Sequence, residues 1–218
     1  MGFFRLPPTM TQRIAEHSKN RNRQLADIRQ SLGKNSLVLI GLMGAGKTVL
    51  GRRLAGALDL TFIDADGEIE AAAGQTVKEI FAEHGEAYFR TGERKVIARL
   101  LENGPQVLAT GGGAYMDPET RAVIERHGTS IWLKANLRLL MKRVGRRDSR
   151  PLLQVDNPEA VMRKLMATRN PVYAEADITV ESRDVPHEVI VGNILDSLSA
   201  RYGNRTAPRN RVRRKKTQ

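Results

Sequence analysis

Short apolar runs alternate with longer amphipathic stretches through the middle of this 218-residue chain. The short runs have the length and composition of strands, and the longer stretches have the spacing of helices. The pattern predicts strands at 36–40, 61–64, 106–110, 130–133 and 177–180. It predicts helices at about 47–58, 67–73, 76–101, 117–127, 136–144, 157–168 and 186–200. We expect a break within 76–101, which contains Gly85 and Gly92. Strands that alternate with helices indicate an α/β fold with a parallel sheet.

Charge is concentrated at the two ends of the chain. The formal net charge is +12, but residues 1–36 contain seven Lys or Arg against two acids, and residues 201–218 contain eight against none. The remaining residues, 37–200, carry a net charge of −1. We therefore expect one folded domain at 36–200, between a basic, disordered N-terminal extension at 1–35 and a basic, disordered tail at 201–218.

Composition also bears on the compartment. The chain has no cysteine, which rules out disulfides and thiolate metal ligands and fits a reducing compartment. No apolar stretch is long enough to span a bilayer. An Arg-rich leader is also typical of organelle transit peptides, but Glu16 and Asp27 interrupt this one, so we favour a disordered arm. We expect a cytoplasmic protein with no membrane partner.

Residues 41–48, GLMGAGKT, match the phosphate-binding pattern G-x-x-x-x-G-K-[ST]. They directly follow an apolar strand and precede a helix, so backbone N–H groups and the helix N-terminus can both face a phosphate. In this pattern Lys47 reaches the β- and γ-phosphates and the Thr48 hydroxyl binds Mg²⁺. A glycine-rich turn with no ligand would not need all three signals together. The sequence predicts binding of a nucleoside triphosphate.

Two carboxylates follow the second predicted strand. Asp64 and Asp66 come at the edge of the sheet where ligands of open α/β folds bind, and alternation along an extended segment would place them on the same side. One could support Mg²⁺, and the other could orient or deprotonate an attacking hydroxyl. The alternative is a pair of acids that cap the next helix. The phosphate loop favours the functional interpretation.

Further polar residues could hold an acidic substrate. Arg90 can clamp a carboxylate with two hydrogen bonds, and Glu93 lies three residues on, on the same helical face. The segment alone favours an ordinary exposed ion pair on a helix. Residues 111–113 are three glycines after a strand, which can expose N–H groups to an anionic or hydroxylated ligand. Arg169 is a second candidate clamp, on a helix that we expect to end before Pro171.

The segment 143–153 is basic and lies between two predicted helices. Arginines on such a segment can stabilise a transferring phosphoryl group, although a solvated charge run has the same composition. By contrast, Trp132 lies within an apolar strand and is expected in the core.

In order along the chain, GLMGAGKT, FIDAD, EIFAEHGEAYFR-x-x-E, ATGGG, SRPLL and TRNPVY resemble shikimate kinase over about residues 36–200. The specificity lies in the combination, because the phosphate loop alone is shared by many NTPases. The resemblance implies a P-loop, nucleoside-monophosphate-kinase-like fold with a five-stranded parallel sheet. It implies a substrate-binding segment at about 65–93 and a lid at about 144–157. It also implies transfer of the ATP γ-phosphoryl group to the 3-hydroxyl of shikimate, in aromatic amino-acid biosynthesis.

The resemblance also implies roles on the nucleotide side. Thr48 and Asp64 would serve Mg²⁺, Asp64 through the water shell of the metal. Lys47 and Arg150 would act on the phosphates during catalysis, Arg150 from the lid. The residues implied to bind ATP are Gly44, Ala45, Gly46, Lys47, Thr48, Val49 and Arg150.

On the acceptor side, the resemblance implies that Arg90 and Arg169 clamp the shikimate carboxylate. Glu93 would support Arg90. Asp66 would bind shikimate hydroxyls and orient or deprotonate the nucleophile. The glycines implied to help the clamp are Gly112 and Gly113. An acidic, polyhydroxylated acceptor needs such arginines and such a carboxylate.

Some alternatives stay open. Three arginines, Arg143, Arg146 and Arg147, compete for an adenine contact that the family often has before R-P-L-L, and residues 181–186 align only loosely with its adenine-side loop. A gluconate kinase would share the loop and fold but not the acceptor. The basic ends suggest nucleic-acid binding, but the nearly neutral middle and the lack of aromatic residues interleaved with the basic ones in the tails argue against specific recognition. We expect a monomer.

Overall fold

Five parallel strands form one sheet in the order β2-β3-β1-β4-β5. This computed structural model describes residues 10–145 and 156–203. The strands are β1 Ser36–Ile40, β2 Thr61–Asp64, β3 Gln106–Ala109, β4 Gly128–Lys134 and β5 Ile178–Glu181. The predicted α/β fold and all five strands are confirmed: β1 and β2 have the predicted ends, and the ends of the other three differ by at most two residues. Trp132 is buried in β4, as expected.

Helices connect the strands and cover the sheet. They are α1 Met10–Leu32, α2 Lys47–Leu58, α3 Ala65–Ala73, α4 Val77–Glu102, α5 Pro118–His127, α6 Leu137–Val144, α7 Pro158–Tyr173 and α8 His187–Gly203. A 3₁₀ turn at Ala114–Met116 precedes α5.

The strand order brings the predicted site residues to one edge. β3 lies between β1 and β2, with Ala109 in register with both Leu39 and Asp64. The carboxyl ends of these three strands are therefore adjacent. The phosphate loop follows β1, the Asp64 segment follows β2 and the glycines follow β3, so sequence-distant motifs meet at this edge.

The N-terminal segment corrects one of our predictions. We expected residues 1–35 to be disordered, but residues 10–32 form α1, which packs against α2 and α8. Ile28 and Leu32 are only 1% and 2% exposed and belong to the main core. Polar contacts also anchor the helix: Arg29 pairs with Asp59 at 3.2 Å, and Gln24 donates to Asp196 across 3.0 Å. Residues 1–9, and 204–218 of the predicted tail, lie outside the described residues.

Two helices differ in detail from the expected pattern. The break in α4 occurs at Gly85, whose φ of 78° and ψ of 176° are not helical, while Gly92 stays within the helix. The predicted end of α7 before Pro171 is wrong, because the helix continues to Tyr173. The contacts of its last turn, described below, hold it to the sheet edge.

Within the described ranges, none of the helices combines the length and the apolar character needed to cross a membrane.

Candidate active site

The phosphate loop, residues 41–48, connects β1 to α2. Gly44 and Gly46 have φ values of 82° and 98°, a conformation that favours glycine. Gly46 is the N-cap of α2, and as a glycine it has no side chain that could cap the N–H groups of the helix. Lys47 Nζ donates to the carbonyl oxygens of Gly41 at 2.7 Å and Leu42 at 3.2 Å. Its ammonium group therefore lies across the loop.

Asp64 links the phosphate loop to α3. Its Oδ2 accepts a hydrogen bond from Thr48 Oγ1 at 3.0 Å, and its Oδ1 accepts one from the Asp66 N–H at 3.3 Å. Asp64 is thus the N-cap of α3, which agrees with the alternative that this acid caps the helix. It also contacts the phosphate loop through Thr48. Asp66 does not lie in the extended segment that we predicted, because it is already in the first turn of α3.

The glycine loop, residues 111–113, is packed closely against the predicted substrate residues. A Cβ built on Gly111 would lie 2.6 Å from Glu93 Oε1 and 3.0 Å from Asp66 Oδ1. The first distance is shorter than real Cβ contacts and the second is tight, so a Cβ at this position would force the Glu93 carboxylate to shift. Two carboxylates from α3 and α4 therefore converge on one point of the loop.

The other two glycines face the two arginines. A Cβ on Gly112 would lie 3.1 Å from one terminal nitrogen of Arg169, and a Cβ on Gly113 would lie 2.4 to 2.6 Å from the Arg90 guanidinium. Arg169 also donates to the Gly112 carbonyl at 2.8 Å. The structure therefore places Asp66, Glu93, Arg90 and Arg169 around one loop, although they come from three helices.

Arg90 and Glu93 form a half-buried pair. Arg90 Nη1 donates to Glu93 Oε2 at 2.6 Å, and its Nη2 donates to Glu86 at 3.1 Å. Glu93 is 2% exposed, so the pair is not the exposed ion pair that the segment alone suggested. Glu93 Oε1 is buried and has no hydrogen-bond partner among the described residues.

Burial and charge act in opposite directions on this pair. Burial raises the pKa of Glu93 above its ordinary value of 4.5, and Arg90 opposes that shift. Burial alone would lower the pKa of Arg90, but the contacts with Glu93 and Glu86 raise it overall. The guanidinium therefore stays positively charged next to the glycine loop, as a carboxylate-binding group must.

Arg143 joins α6 to the phosphate loop and to the residues that follow β5. It donates to the Gly44 carbonyl at 3.3 Å, to Ser182 Oγ at 2.9 Å and to the Arg183 carbonyl at 3.0 Å. Burial lowers its pKa, with Asp184 opposing. Among the three competing arginines, Arg143 is the one that the structure describes. Arg146, Arg147 and Arg150 lie outside the described residues, as does most of the predicted lid.

We overlooked two residues that the structure places at these contacts. Ser182 is 3% exposed and donates to the Ala45 carbonyl at 2.9 Å, while it accepts from Arg143. Tyr173, which is fully buried, donates to the Gly112 carbonyl. A polar residue at the end of an apolar strand and a tyrosine four positions after a candidate clamp were the available signals, and both patterns are common elsewhere.

Known proteins resemble this chain over most of its length. A sequence profile described as shikimate kinase matches residues 43–199, more than half of the chain. A shikimate kinase of Bradyrhizobium diazoefficiens is 57% identical over 175 residues, which cover 80% of this chain and 84% of that protein.

Solved structures agree with the sequence comparison. A shikimate kinase from Acinetobacter baumannii, solved in complex with shikimate, matches with a TM-score of 0.75 and 37% identity, over 80% of this chain and 98% of that one. A gluconokinase from Sinorhizobium meliloti shares the fold, with a TM-score of 0.56 over 79% of this chain and 96% of that one, but only 18% identity. The matches to shikimate kinases confirm the nucleoside-monophosphate-kinase-like fold expected from the motifs, and the chain belongs to the shikimate kinase family.

Proposed function

We propose that this protein transfers the γ-phosphoryl group of ATP to the 3-hydroxyl of shikimate, giving shikimate 3-phosphate for aromatic amino-acid biosynthesis. The observation that carries the proposal is the convergence of two arginines and two carboxylates on the glycine loop, at the sheet edge that also carries the phosphate loop. That combination suits a substrate with one carboxylate and several hydroxyls. Membership of the shikimate kinase family supports the same substrate.

On the nucleotide side, the phosphate loop holds the β- and γ-phosphates through backbone N–H groups and the α2 N-terminus. Lys47 leaves the loop carbonyls and pairs with the phosphates. Arg143 would contact the adenine of ATP, since it already joins the phosphate loop to the residues after β5. The residues proposed to bind ATP are Gly44, Ala45, Gly46, Lys47, Thr48, Val49 and Arg150.

A Mg²⁺ ion fits beside the loop. Thr48 Oγ1 and Asp64 Oδ2 are oxygen donors 3.0 Å apart, and Mg²⁺ prefers one or two such oxygens together with water and substrate phosphates. When bound, the ion neutralises charge on the β- and γ-phosphates. Thr48 would bind it directly and Asp64 through water.

On the acceptor side, Arg90 and Arg169 hold the shikimate carboxylate, and the N–H groups of Gly112 and Gly113 contribute donors. Glu93 keeps Arg90 in place through its 2.6 Å contact.

Asp66 orients the 3-hydroxyl and takes its proton. The hydroxyl oxygen forms a bond to the γ-phosphorus as the bond from that phosphorus to the bridging oxygen breaks, and ADP leaves. Positioning and charge neutralisation supply most of the catalysis in such a reaction.

Three further expectations belong to the proposal. The protein acts in the cytoplasm, as a monomer, and without specific nucleic-acid binding. Light scattering on a size-exclusion column tests the oligomeric state, and a mass of twice 24.3 kDa would contradict the expected monomer.

The proposal is tested by comparing how two arginine variants affect the two substrates. Arg90→Ala and Arg169→Ala should each raise KM for shikimate far more than KM for ATP, because both lie at the glycine loop and not at the phosphate loop. Arg99→Ala, a change on the exposed part of α4, is the control and should leave both values unchanged. Equal increases in both KM values would show that Arg90 and Arg169 do not clamp the shikimate carboxylate.

A further inference from the structure

Two side chains from the last turn of α7 share one acceptor. Arg169 Nη1 donates to the Gly112 carbonyl at 2.8 Å, and the Tyr173 hydroxyl donates to the same oxygen. The two residues are four positions apart, so they lie on the same face of the helix. A carbonyl oxygen has two lone pairs and can accept both bonds. The middle glycine of the loop is therefore fixed to α7 at two points.

The Tyr173 side chain is itself held firmly. It is 0% exposed, and its ring packs near the rings of Trp132 and Tyr115, with centroids 5.9 and 6.4 Å away. Burial raises the pKa of Tyr173 and Arg169 opposes the shift, so the hydroxyl is a protonated donor at neutral pH. A buried hydroxyl needs a hydrogen-bond partner, and the Gly112 carbonyl provides one.

The position of Arg169 depends on the same carbonyl. Its guanidinium has little free space on the side of the glycine loop, since a Cβ on Gly112 would lie only 3.1 Å from it. If the carbonyl rotated, the hydrogen bond and the close contact would both change. The Tyr173 hydroxyl opposes that rotation from inside the core.

We propose that Tyr173 is a positioning residue. It holds the glycine loop and Arg169 in fixed relative positions, so that Arg169 is already in place when the carboxylate of the acceptor binds. Tyr173 is fully buried and does not touch the acceptor itself. This inference rests on the proposed function, because it assumes that Arg169 binds the acceptor.

The test compares two Tyr→Phe variants of the full chain. Tyr173→Phe removes the hydroxyl that reaches Gly112. Tyr115→Phe is the matched control, because that tyrosine is also buried but its hydroxyl faces Ser130 Oγ at 3.5 Å. The loss of one buried hydrogen bond should raise KM for shikimate about tenfold in Tyr173→Phe. KM for ATP should stay within about twofold, and Tyr115→Phe should leave both values within about twofold.

Combining the change with Arg169→Ala separates the inference from the function on which it rests. If Tyr173 acts through Arg169, the double variant should be no worse than Arg169→Ala alone, since interacting residues are not additive. Additive effects, or an unchanged KM for shikimate in Tyr173→Phe, would overturn the inference and leave the proposed function standing. Equal increases in both KM values would also overturn it, because they would mark a general loss of structure. If Arg169→Ala itself leaves KM for shikimate unchanged, the proposed clamp fails and the inference falls with it.

Discussion

Replacing Gly113 by alanine should disable acceptor binding without unfolding the protein. The new Cβ would lie 2.4 Å from Arg90 Nη2 and 2.6 Å from Arg90 Cζ and Nη1. Gly113 has φ −100° and ψ −19°, which alanine adopts without strain. The atoms in the way belong to the end of a flexible side chain. The guanidinium would therefore move aside, and the backbone would stay in place.

The expected rise in KM for shikimate follows from the hydrogen bonds between Arg90 and the acceptor carboxylate that the displaced guanidinium would lose. Hydrogen bonds to a charged group contribute about 1.5–3 kcal/mol. Since 1.4 kcal/mol corresponds to about a tenfold change, KM for shikimate should rise about 10- to 100-fold. KM for ATP should change less than about twofold, because the phosphate loop lies on a different segment and distant sites behave independently.

The assay is ADP release coupled to NADH oxidation, with each substrate varied at saturation of the other. Gly92→Ala is the matched control, because it makes the same change in α4 where a Cβ would meet nothing within 4 Å. Both variants should keep the circular dichroism spectrum of the parent. A KM for shikimate within twofold of the parent in folded Gly113→Ala would refute the assignment of Arg90 to the acceptor.

Three further predictions concern the metal, α1 and the buried acid. The asparagine in the Asp64→Asn variant can still cap α3. The variant should nevertheless raise the Mg²⁺ concentration for half-maximal activity about tenfold, as is typical when a residue that holds the metal through its water shell is lost. An unchanged Mg²⁺ concentration for half-maximal activity would exclude Asp64 from the metal site. Ile28→Ala should lower the free energy of unfolding, measured in urea, by about 2–5 kcal/mol. Gln30→Ala, at an exposed position of α1, should lower that free energy by under about 0.5 kcal/mol. Equal effects would mean that α1 does not pack on the domain. Burial raises the pKa of Glu93, so the folded chain binds this proton more tightly than the unfolded chain does, and the free energy of unfolding should fall as the pH rises from 4.5 through the raised pKa. Urea titrations across that range should show the fall in the parent and its loss in Glu93→Gln, and identical pH profiles would show that Glu93 is not the group responsible.

Much of the site was predictable because its residues follow strands. The phosphate loop combines fixed residue types with a strand before it and a helix after it, and parallel strands place their carboxyl ends at one edge. The order of motifs was then enough to bring Asp64, the glycine loop and the phosphate loop together. The side on which Asp66 projects was not predictable from strand alternation, because α3 begins at Ala65, two residues before the predicted start at 67.

Other features depend on distant contacts that local patterns do not contain. α1 contains few apolar residues in 23, so its composition indicated disorder, yet it packs against α2 and α8 and contributes Ile28 and Leu32 to the core. The hydrogen bond from Tyr173 to Gly112 joins residues 61 positions apart. The continuation of α7 through Pro171 belongs to the same class, since contacts of the last turn overcome the local preference for a break.

The reaction itself is tested most directly by identifying the phosphorylated product. Purified protein would be incubated with Mg-ATP and either shikimate or gluconate, and the products examined by phosphorus and proton NMR. The account predicts one equivalent of ADP for each shikimate phosphorylated, with phosphorus coupled to the proton on carbon 3, and no phosphorylated gluconate. Phosphate on another hydroxyl, phosphorylation of gluconate, or release of inorganic phosphate alone would contradict it.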